Sequence, residues 1–260
     1  IYSDSPYFQI IPLKRKLWWK SMKIYAKYIL KRDADSLVVQ TDDVKERVKK
    51  LLSKKSVFTV SNTISKHYLS PRKAAKKLPV KAKNQFRLLT LSAWYPHKNL
   101  SIIPKVLDVL IKKGFTNIVF VVTLPNEDMA KLCFVDKYEG QLINTGQVKV
   151  EEGASLYQEC DAMFLPTLLE CFSASYAEAM QLNKPIITSD MGFAHTVCKD
   201  AALYVNSMDA DDIASKIIEL STSYELQQDL VSKGVKRLEV FGSSHDRAKR
   251  YLEICEALIK

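Results

Sequence analysis

From residue 86 onward, short apolar runs alternate with stretches of helical character. The order is "RLLTLSA", a helix predicted over about Asn99 to Lys113, "NIVFVVTL", a helix after Pro125, "AMFLPT", a helix from about Ser173, and "KPIITSD". This alternation narrows the fold more than any other feature. A strand with one wet face alternates apolar and polar residues, whereas these runs are apolar almost throughout, as strands covered on both faces are. Separated by helical stretches, they predict βαβ units: an α/β fold with a Rossmann-like parallel sheet and helices on both faces. Ligands of such sheets sit beyond the carboxyl ends of the strands, so the loops after "LLTLSA", "VVTL" and "MFLPT" are predicted to line one crevice. With seven glycines in all and no G-x-G-x-x-G after any strand, a dehydrogenase-type dinucleotide site is not expected.

Charge divides the chain close to where this pattern begins. Residues 1–85 carry 21 Lys and Arg against 6 Asp and Glu, while the remainder carries 18 against 23, within a net charge of +10. The boundary lies in "SPRKAAKKLPVKAKNQF", a Pro-punctuated basic stretch that reads as a solvated connection. The predicted organisation is therefore 1–70 as the tail of an upstream domain, 71–84 as a basic linker, 85–242 as the ligand-binding domain, and 243–260 as a C-terminal helix. The chain starts with Ile rather than Met. Residues 1–70, with "SLVVQ", a charged helix from Thr41 and "VFTVSN", read as the closing elements of an α/β domain that begins further upstream.

Within that tail, Pro12 opens a predicted helix. Trp18, Met22, Tyr25 and Ile29 fall on one stripe of it, opposite Lys16, Lys20, Lys23, Lys27 and Lys31. Three readings stand open: a surface helix docked on its own domain, a face that meets anionic lipid, and a nucleic-acid contact. No apolar run approaches the roughly 18 residues of a membrane span, and no signal peptide is present. The five cysteines form no C-x-x-C pair and read as reduced core residues of a cytosolic protein.

The loops hold polar residues that a core would not require. In "WYPHKNL", Lys98 is predicted at the start of the next helix, where its ammonium and the helix N-terminus would share an anion. In "PTLLECFSASYAEAM", Glu170 precedes a helix and Glu178 lies inside it. A phosphate-seeking lysine with two carboxylates that accept hydroxyl hydrogen bonds suggests a nucleotide sugar. Each residue also has an ordinary reading: Glu170 as a charge at a helix dipole, Glu178 as a solvated helix position, Lys98 as a surface lysine. Asp209 and Asp211 form a D-x-D, but at the start of "SMDADDIASKI" they read as helix caps rather than metal ligands. His67, His195 and His245 read as ordinary.

Glu170, seven residues, then Glu178-Ala179-Met180 before "QLNKPIITSD" resembles the E-x7-E signature of the family-four retaining glycosyltransferases, the glycosyl transferases of group 1. "YPHKN" is similar to that family's phosphate-binding lysine segment. The resemblance spans about residues 34–260 and implies the C-terminal half of a B-type glycosyltransferase, in which two Rossmann domains face across a cleft. It assigns Glu178 to the donor ribose, Glu170 to the donor sugar and Lys98 to the diphosphate. It also places the backbone of Phe172, Ser173 and Ala174 toward phosphate and sugar, and Thr167 and His97 complete the candidate donor contacts. Two departures stand out: "SAWYPHK" lacks the family's Gly-Arg, so either another base such as His97 substitutes as the second cation or donor binding is weaker, and "CFS" replaces a glycine-containing turn.

The activity so implied is retaining, metal-independent transfer of a sugar from a nucleotide-diphosphate sugar to a saccharide or lipid-linked acceptor, in cell-surface polysaccharide or lipopolysaccharide synthesis. No cofactor is expected beyond the donor itself. The expected location is cytoplasmic, peripheral to the inner membrane face through the 12–32 helix. The competing readings are a non-catalytic nucleotide-sugar-binding or scaffold protein and a nucleic-acid-binding protein that uses the basic segment.

Overall fold

The computed structural model describes residues 2, 4–70, 78–132 and 135–259. The upstream elements are α1 (Tyr7–Ile10), α2 (Leu13–Asp33), β1 (Ser36–Val39), α3 (Asp42–Leu51), β2 (Ser56–Thr59) and α4 (Lys66–Leu69). Then come β3 (Phe86–Thr90), α5 (Ile103–Lys112), β4 (Ile118–Val122), α6 (Asn126–Met129), β5 (Leu142–Asn144), α7 (Val150–Glu159) and β6 (Ala162–Leu165). The chain continues through α8 (Ala174–Gln181), β7 (Ile186–Ser189), α9 (Gly192–Cys198), β8 (Leu203–Val205), α10 (Ala210–Thr222), α11 (Tyr224–Leu238) and α12 (Ser244–Ile259).

Six strands form one parallel sheet in the order β5-β4-β3-β6-β7-β8. β3, β4, β6 and β7 are buried at every residue, which is why their sequences show apolar runs instead of alternation. On one face Leu88, Phe120, Phe164 and Ile187 pack with Leu107 of α5 and Ile217 of α10. On the other, Leu89, Val121, Met163 and Leu165 pack with Leu156 of α7 and Ala177 of α8. The structure thus bears out the α/β sheet covered on both faces. The strand order reverses between β3 and β6, because β4 and β5 add on one side while β7 and β8 add on the other. That reversal is the position at which an open parallel sheet parts its loops into a crevice.

β1 and β2 form a separate two-stranded parallel sheet joined through α3. Thr41 caps α3 by accepting from Val44 N, and Asp42 and Asp43 follow it in the first turn, where acidic side chains suit the helix dipole. These upstream elements share a core with the larger sheet: Val44, Val48, Leu52, Val57 and Tyr68 belong to the same buried cluster as Leu89 and Leu165. Residues 71–77 of the predicted linker lie outside the described residues, and residues 79–84 are exposed.

Several expectations are corrected. No residue of α2 is buried, so it is not docked on the body of the described chain, and its apolar side chains extend well beyond the predicted stripe: Leu17, Trp19, Ile24 and Tyr28 are exposed alongside Trp18 and Tyr25. The helix predicted from Asn99 begins as α5 at Ile103, because Asn99 adopts a left-handed φ of 56° between two short 3-10 turns, Pro96–Lys98 and Leu100–Ile102. The helix after Pro125 is a single turn, α6, followed by a 3-10 turn. β5 and α7 are absent from the sequence reading, since β5 has three residues and α7 carries Gly153 in its apolar pattern. Cys160 and Cys198 are buried as expected of core thiols, but Cys171 and Cys255 are exposed; Cys133 lies outside the described residues.

The burial pattern yields a paired test. Phe120 is fully buried and meets Phe164 edge to face at 5.4 Å. Phe120→Ala is expected to cost roughly 3–5 kcal/mol in denaturant unfolding. Trp18→Ala on α2 is expected to change stability by no more than about 0.5 kcal/mol, and a large loss there would contradict the exposed placement of α2.

Candidate functional site

Two loops flank the reversal point. The loop after β3 runs through the Pro96–Lys98 turn to Asn99, and the loop after β6 runs from Pro166 to Ser173, where α8 begins. A closed ring of hydrogen bonds locks them together. The His97 carbonyl accepts from Thr167 Oγ1 at 3.1 Å and from Leu168 N at 2.7 Å. The Thr167 carbonyl accepts from Ser189 Oγ at 2.5 Å, Ser189 Oγ accepts from Ser207 Oγ, and the Ser207 carbonyl accepts from Asn99 Nδ2 at 2.6 Å. Asn99 follows His97 by two residues, which closes the ring. All four side chains are buried, so each polar group depends on its partner in the ring.

The upstream elements hold the second loop from outside. Ser5 Oγ donates to the Leu168 carbonyl at 2.5 Å, and Thr41 Oγ1 donates to the Cys171 carbonyl at 3.2 Å. Beneath the loop, Tyr176 and Thr188 are hydrogen-bonded at 2.8 Å, and Thr188 donates on to the Leu165 carbonyl.

On this frame Lys98 Nζ pairs directly with Glu170 Oε1, and their side chains are 17% and 14% exposed. Partial burial strengthens the attraction, and each charge supplies the counter-charge the other requires there. Glu170 lies just ahead of α8, whose N-cap residue, Ser173, makes no side-chain cap. The N–H groups of Ser173, Ala174 and Ser175 find no acceptor within the described protein, as first-turn donors without a cap do not. A cation, an acid and a set of free N–H donors thus converge at the switch point.

Glu178 lies one helical turn into α8, half-buried beside Tyr68 of α4 and Tyr157 of α7. Burial pushes its carboxyl up to about 7, with the neighbouring Tyr68 side chain acting in the opposite direction. Near neutral pH this carboxyl therefore divides between acid and carboxylate. A ligand that donates hydroxyl hydrogen bonds to it would favour the carboxylate.

The predicted site residues separate into three groups. Lys98 and Glu170 come together, the Phe172–Ala174 backbone follows Glu170 in the chain up to the start of α8, and Glu178 lies inside α8. Lys98 does not sit at an α-helix N-terminus as predicted, since α5 starts five residues later; the neighbouring N-terminus is that of α8. Thr167 is fully buried with its hydroxyl on the His97 carbonyl, so it braces the loop and presents no free hydroxyl to a ligand. His97 is lowered below the ordinary imidazole range, first by burial and then by Lys98, while its ring stacks on Tyr95 at 5.5 Å and meets the edge of Tyr7. Both effects favour its neutral form in the site as it stands. Asp209 caps α10 by accepting from Asp211 N and Asp212 N, as its position predicted.

Sequence reading missed Asn99, Ser189, Ser207 and Tyr68. Only Asn99 carried a local signal, because asparagine is among the few residues other than glycine that enter the left-handed region readily.

A family model described as "Glycosyl transferases group 1" matches residues 71–237. The chain is 25% identical over 202 residues to the O-antigen chain mannosyltransferase RfbU of Salmonella typhimurium (strain LT2), covering 75% of this chain and 54% of that protein. It therefore spans about half the length of that relative. A sucrose-phosphate synthase from Thermosynechococcus elongatus superposes with a TM-score of 0.76 at 17% identity, covering 92% of this chain and 62% of that one. WaaG, a glycosyltransferase involved in lipopolysaccharide biosynthesis, superposes with a TM-score of 0.71 at 12% identity, covering 92% and 68%. These structural likenesses establish the B-type fold.

Two measurements probe the site as built. Ser189→Ala leaves the Thr167 carbonyl and the Ser207 hydroxyl without a partner, and is expected to cost roughly 1–3 kcal/mol by urea unfolding. For Glu178, a folded value raised above the ordinary 4.5 means that the folded state favours the protonated acid. Its stabilising contribution is complete below about pH 4.5 and is lost as pH rises through about 7. Glu178→Gln, a permanent mimic of the acid, is expected to match the parent at pH 4.5 and exceed it by up to roughly 3 kcal/mol at pH 8. Equal stability of the two proteins across that range would refute the raised value.

Proposed function

This chain belongs to the glycosyl transferases of group 1, and we propose that it binds the donor of a retaining transferase, a nucleotide-diphosphate sugar, in the crevice between the β3 and β6 loops. The observation that carries this reading is the meeting of Lys98 with Glu170 beside the open N-terminus of α8, with Glu178 on the same helix. Lys98 and the free N–H groups of Ser173, Ala174 and Ser175 receive the diphosphate. Glu170 accepts from sugar hydroxyls, and ionised Glu178 accepts from the ribose.

The chemistry follows from where charge develops. Breaking the bond between sugar and diphosphate leaves an oxocarbenium-like sugar and a departing anion, so groups fixed in advance around that anion lower the barrier. A lysine and a helix N-terminus supply such stabilisation from the protein itself. With the diphosphate on Lys98, Glu170 exchanges its ammonium partner for sugar hydroxyls, and arrival of the anion thereby frees the residue that orients the sugar. Attack by the acceptor on the face the diphosphate leaves retains the anomeric configuration. Sugar orientation brings the reacting atoms into range, while ribose binding acts alike in the ground and transition states.

We assign the acceptor to the saccharide or lipid-linked class used in cell-surface polysaccharide or lipopolysaccharide synthesis. The support is the relative described as an O-antigen chain mannosyltransferase. No helix among the described residues is long and apolar enough to cross a membrane. A peripheral contact through α2 has a specific observation in its favour, since Trp18, Trp19, Tyr25 and Tyr28 are exposed on the helix that carries the lysine stripe.

A thermal-shift screen of UDP-, GDP- and ADP-sugars, with a CMP-sugar lacking the diphosphate, tests the donor assignment. A ligand at 100 times its dissociation constant adds about 2.7 kcal/mol. The diphosphate sugars are expected to stabilise the protein and Lys98→Ala to weaken their binding by roughly 1.5–3 kcal/mol, as loss of a charged hydrogen-bond partner does. No shift with any nucleotide sugar would remove the assignment. For the lipid contact, each lysine near an anionic surface contributes about 1 kcal/mol, so a Lys20, Lys23, Lys27 to Ala triple variant is expected to leave anionic liposomes in co-sedimentation. Unchanged co-sedimentation would dismiss the contact.

A further inference from the structure

A cavity of about 330 Å³ is lined by Leu168 of the β6 loop, by Asp190, Met191 and Gly192 after β7, and by residues of the upstream segment that include Asp4 and Ser5. It adjoins the hydrogen-bonded ring at two points. Leu168 follows Thr167 and gives its N–H to the His97 carbonyl, while Asp190 follows Ser189 and gives its N–H to the Val205 carbonyl at 2.8 Å. The upstream segment is tied to the same frame by the Ser5 hydroxyl, which donates to the Leu168 carbonyl. Glu170 lies two residues beyond Leu168. The cavity therefore belongs to the loop that carries the candidate sugar-binding acid, yet none of the residues assigned above lines it.

The polar groups of this cavity are acidic. Asp4 and Asp190 line it with side chains 65% and 66% exposed. His195 Nε2 meets Asp190 Oδ1 at 2.6 Å and its ring stacks on Tyr204 at 3.8 Å, which braces the carboxylate and leaves it acceptor capacity. Arg47 also lines the cavity, but its guanidinium is engaged by Asp4 at 2.6 Å and by both oxygens of Asp43 at 3.1 Å. With three carboxylates set against this guanidinium, an incoming anion meets net repulsion. The apolar lining includes Leu168, Met191 and Phe193, and the Tyr2 ring packs edge to face on Phe193 at 6.1 Å. Tyr2 lines the cavity too and is 8% exposed, and its hydroxyl makes no hydrogen bond within the described protein. A buried tyrosine hydroxyl ordinarily has a partner.

We propose that this cavity is a saccharide subsite that receives a neutral sugar unit of the acceptor. Asp4 and Asp190 accept from its hydroxyls, its C–H face meets Phe193 and Met191, and it supplies the Tyr2 hydroxyl with the partner the protein lacks. The inference rests on the transferase reading given above and deepens it. It names an uncharged sugar, rather than a phosphate, as the part of the acceptor held beside the loop that carries Glu170. A few polar groups set around an apolar lining are what orient a small ligand, and the volume lies at the small end of ligand pockets, roughly 300–1,000 Å³.

The test uses the full chain with methyl glycosides of mannose, glucose, galactose and rhamnose as probes, and inorganic phosphate as the anionic comparison. Saturation-transfer NMR detects binding, and amide shifts locate it. At least one glycoside is expected to bind and to move the amides of Ser5, Leu168 and Gly192, with phosphate leaving them in place. Asp4→Asn and Asp190→Asn, which keep the side-chain shape on exposed positions, are each expected to weaken that binding roughly tenfold at an unchanged melting temperature, as loss of a charged hydrogen-bond acceptor does. No glycoside binding, shifts confined to other amides, phosphate binding in the cavity, or glycoside affinity unmoved in both variants would each overturn the proposal; the shift map of the parent decides it even where a variant melts early. UDP, GDP and ADP are titrated in parallel. A parent that binds nucleotide and no glycoside defeats this inference and leaves the donor reading standing, whereas one that binds glycoside in the cavity and no nucleotide removes the donor reading and overturns the acceptor assignment with it.

Discussion

The crevice depends on the ring that runs from the His97 carbonyl through Thr167, Ser189 and Ser207 to Asn99. Four loops emerge at the carboxyl ends of β3, β6, β7 and β8, and loops of this kind are ordinarily the least constrained part of an α/β sheet. Here each contributes a buried polar group whose partner lies on another loop, so displacing one leaves the others unsatisfied in a medium that penalises unmade hydrogen bonds. The ring is what allows Lys98 and Glu170, 72 residues apart, to meet with little freedom. Preorganisation of that kind is what electrostatic stabilisation of a leaving anion requires.

Burial sets the charge state differently across the site. Lys98 and Glu170 are partly buried and compensate each other. Glu178 lies beside Tyr68 and Tyr157, and burial raises its carboxyl into the neutral range. His97, enclosed by Tyr95 and Tyr7 and next to an ammonium, is moved the opposite way, toward its neutral form. Burial disfavours the charged form in both cases, and the shifts differ in sign because one group is an acid and the other a base. Lys98, paired with Glu170 ahead of the uncapped start of α8, is the fixed cation of this pair of loops.

The upstream elements are part of the site. Ser5 and Thr41 clamp the β6 loop, so residues upstream of the larger sheet hold it from outside. α2 is different in kind. It presents aromatic and lysine side chains with none of its residues buried.

What the sequence determined by itself was local or periodic. Apolar runs without alternation specify doubly covered strands, Thr41 and Asp209 specify helix starts, and the Glu170 to Glu178 spacing places one acid ahead of a helix and one inside it. Each of these signals rests on residues a few positions apart, and none depends on how the sheet is assembled. Strand order was not legible, and with it the reversal between β3 and β6, the pairing of Lys98 with Glu170 and the closing of Asn99 onto Ser207 across 108 residues. Even the depth of Thr167, adjacent to recognised site residues, followed from the loop's path over β7. Tertiary structure decided these because hydrogen-bond partners and burial are set by neighbours in space, and only assembly of the sheet brings residues from its separate loops together.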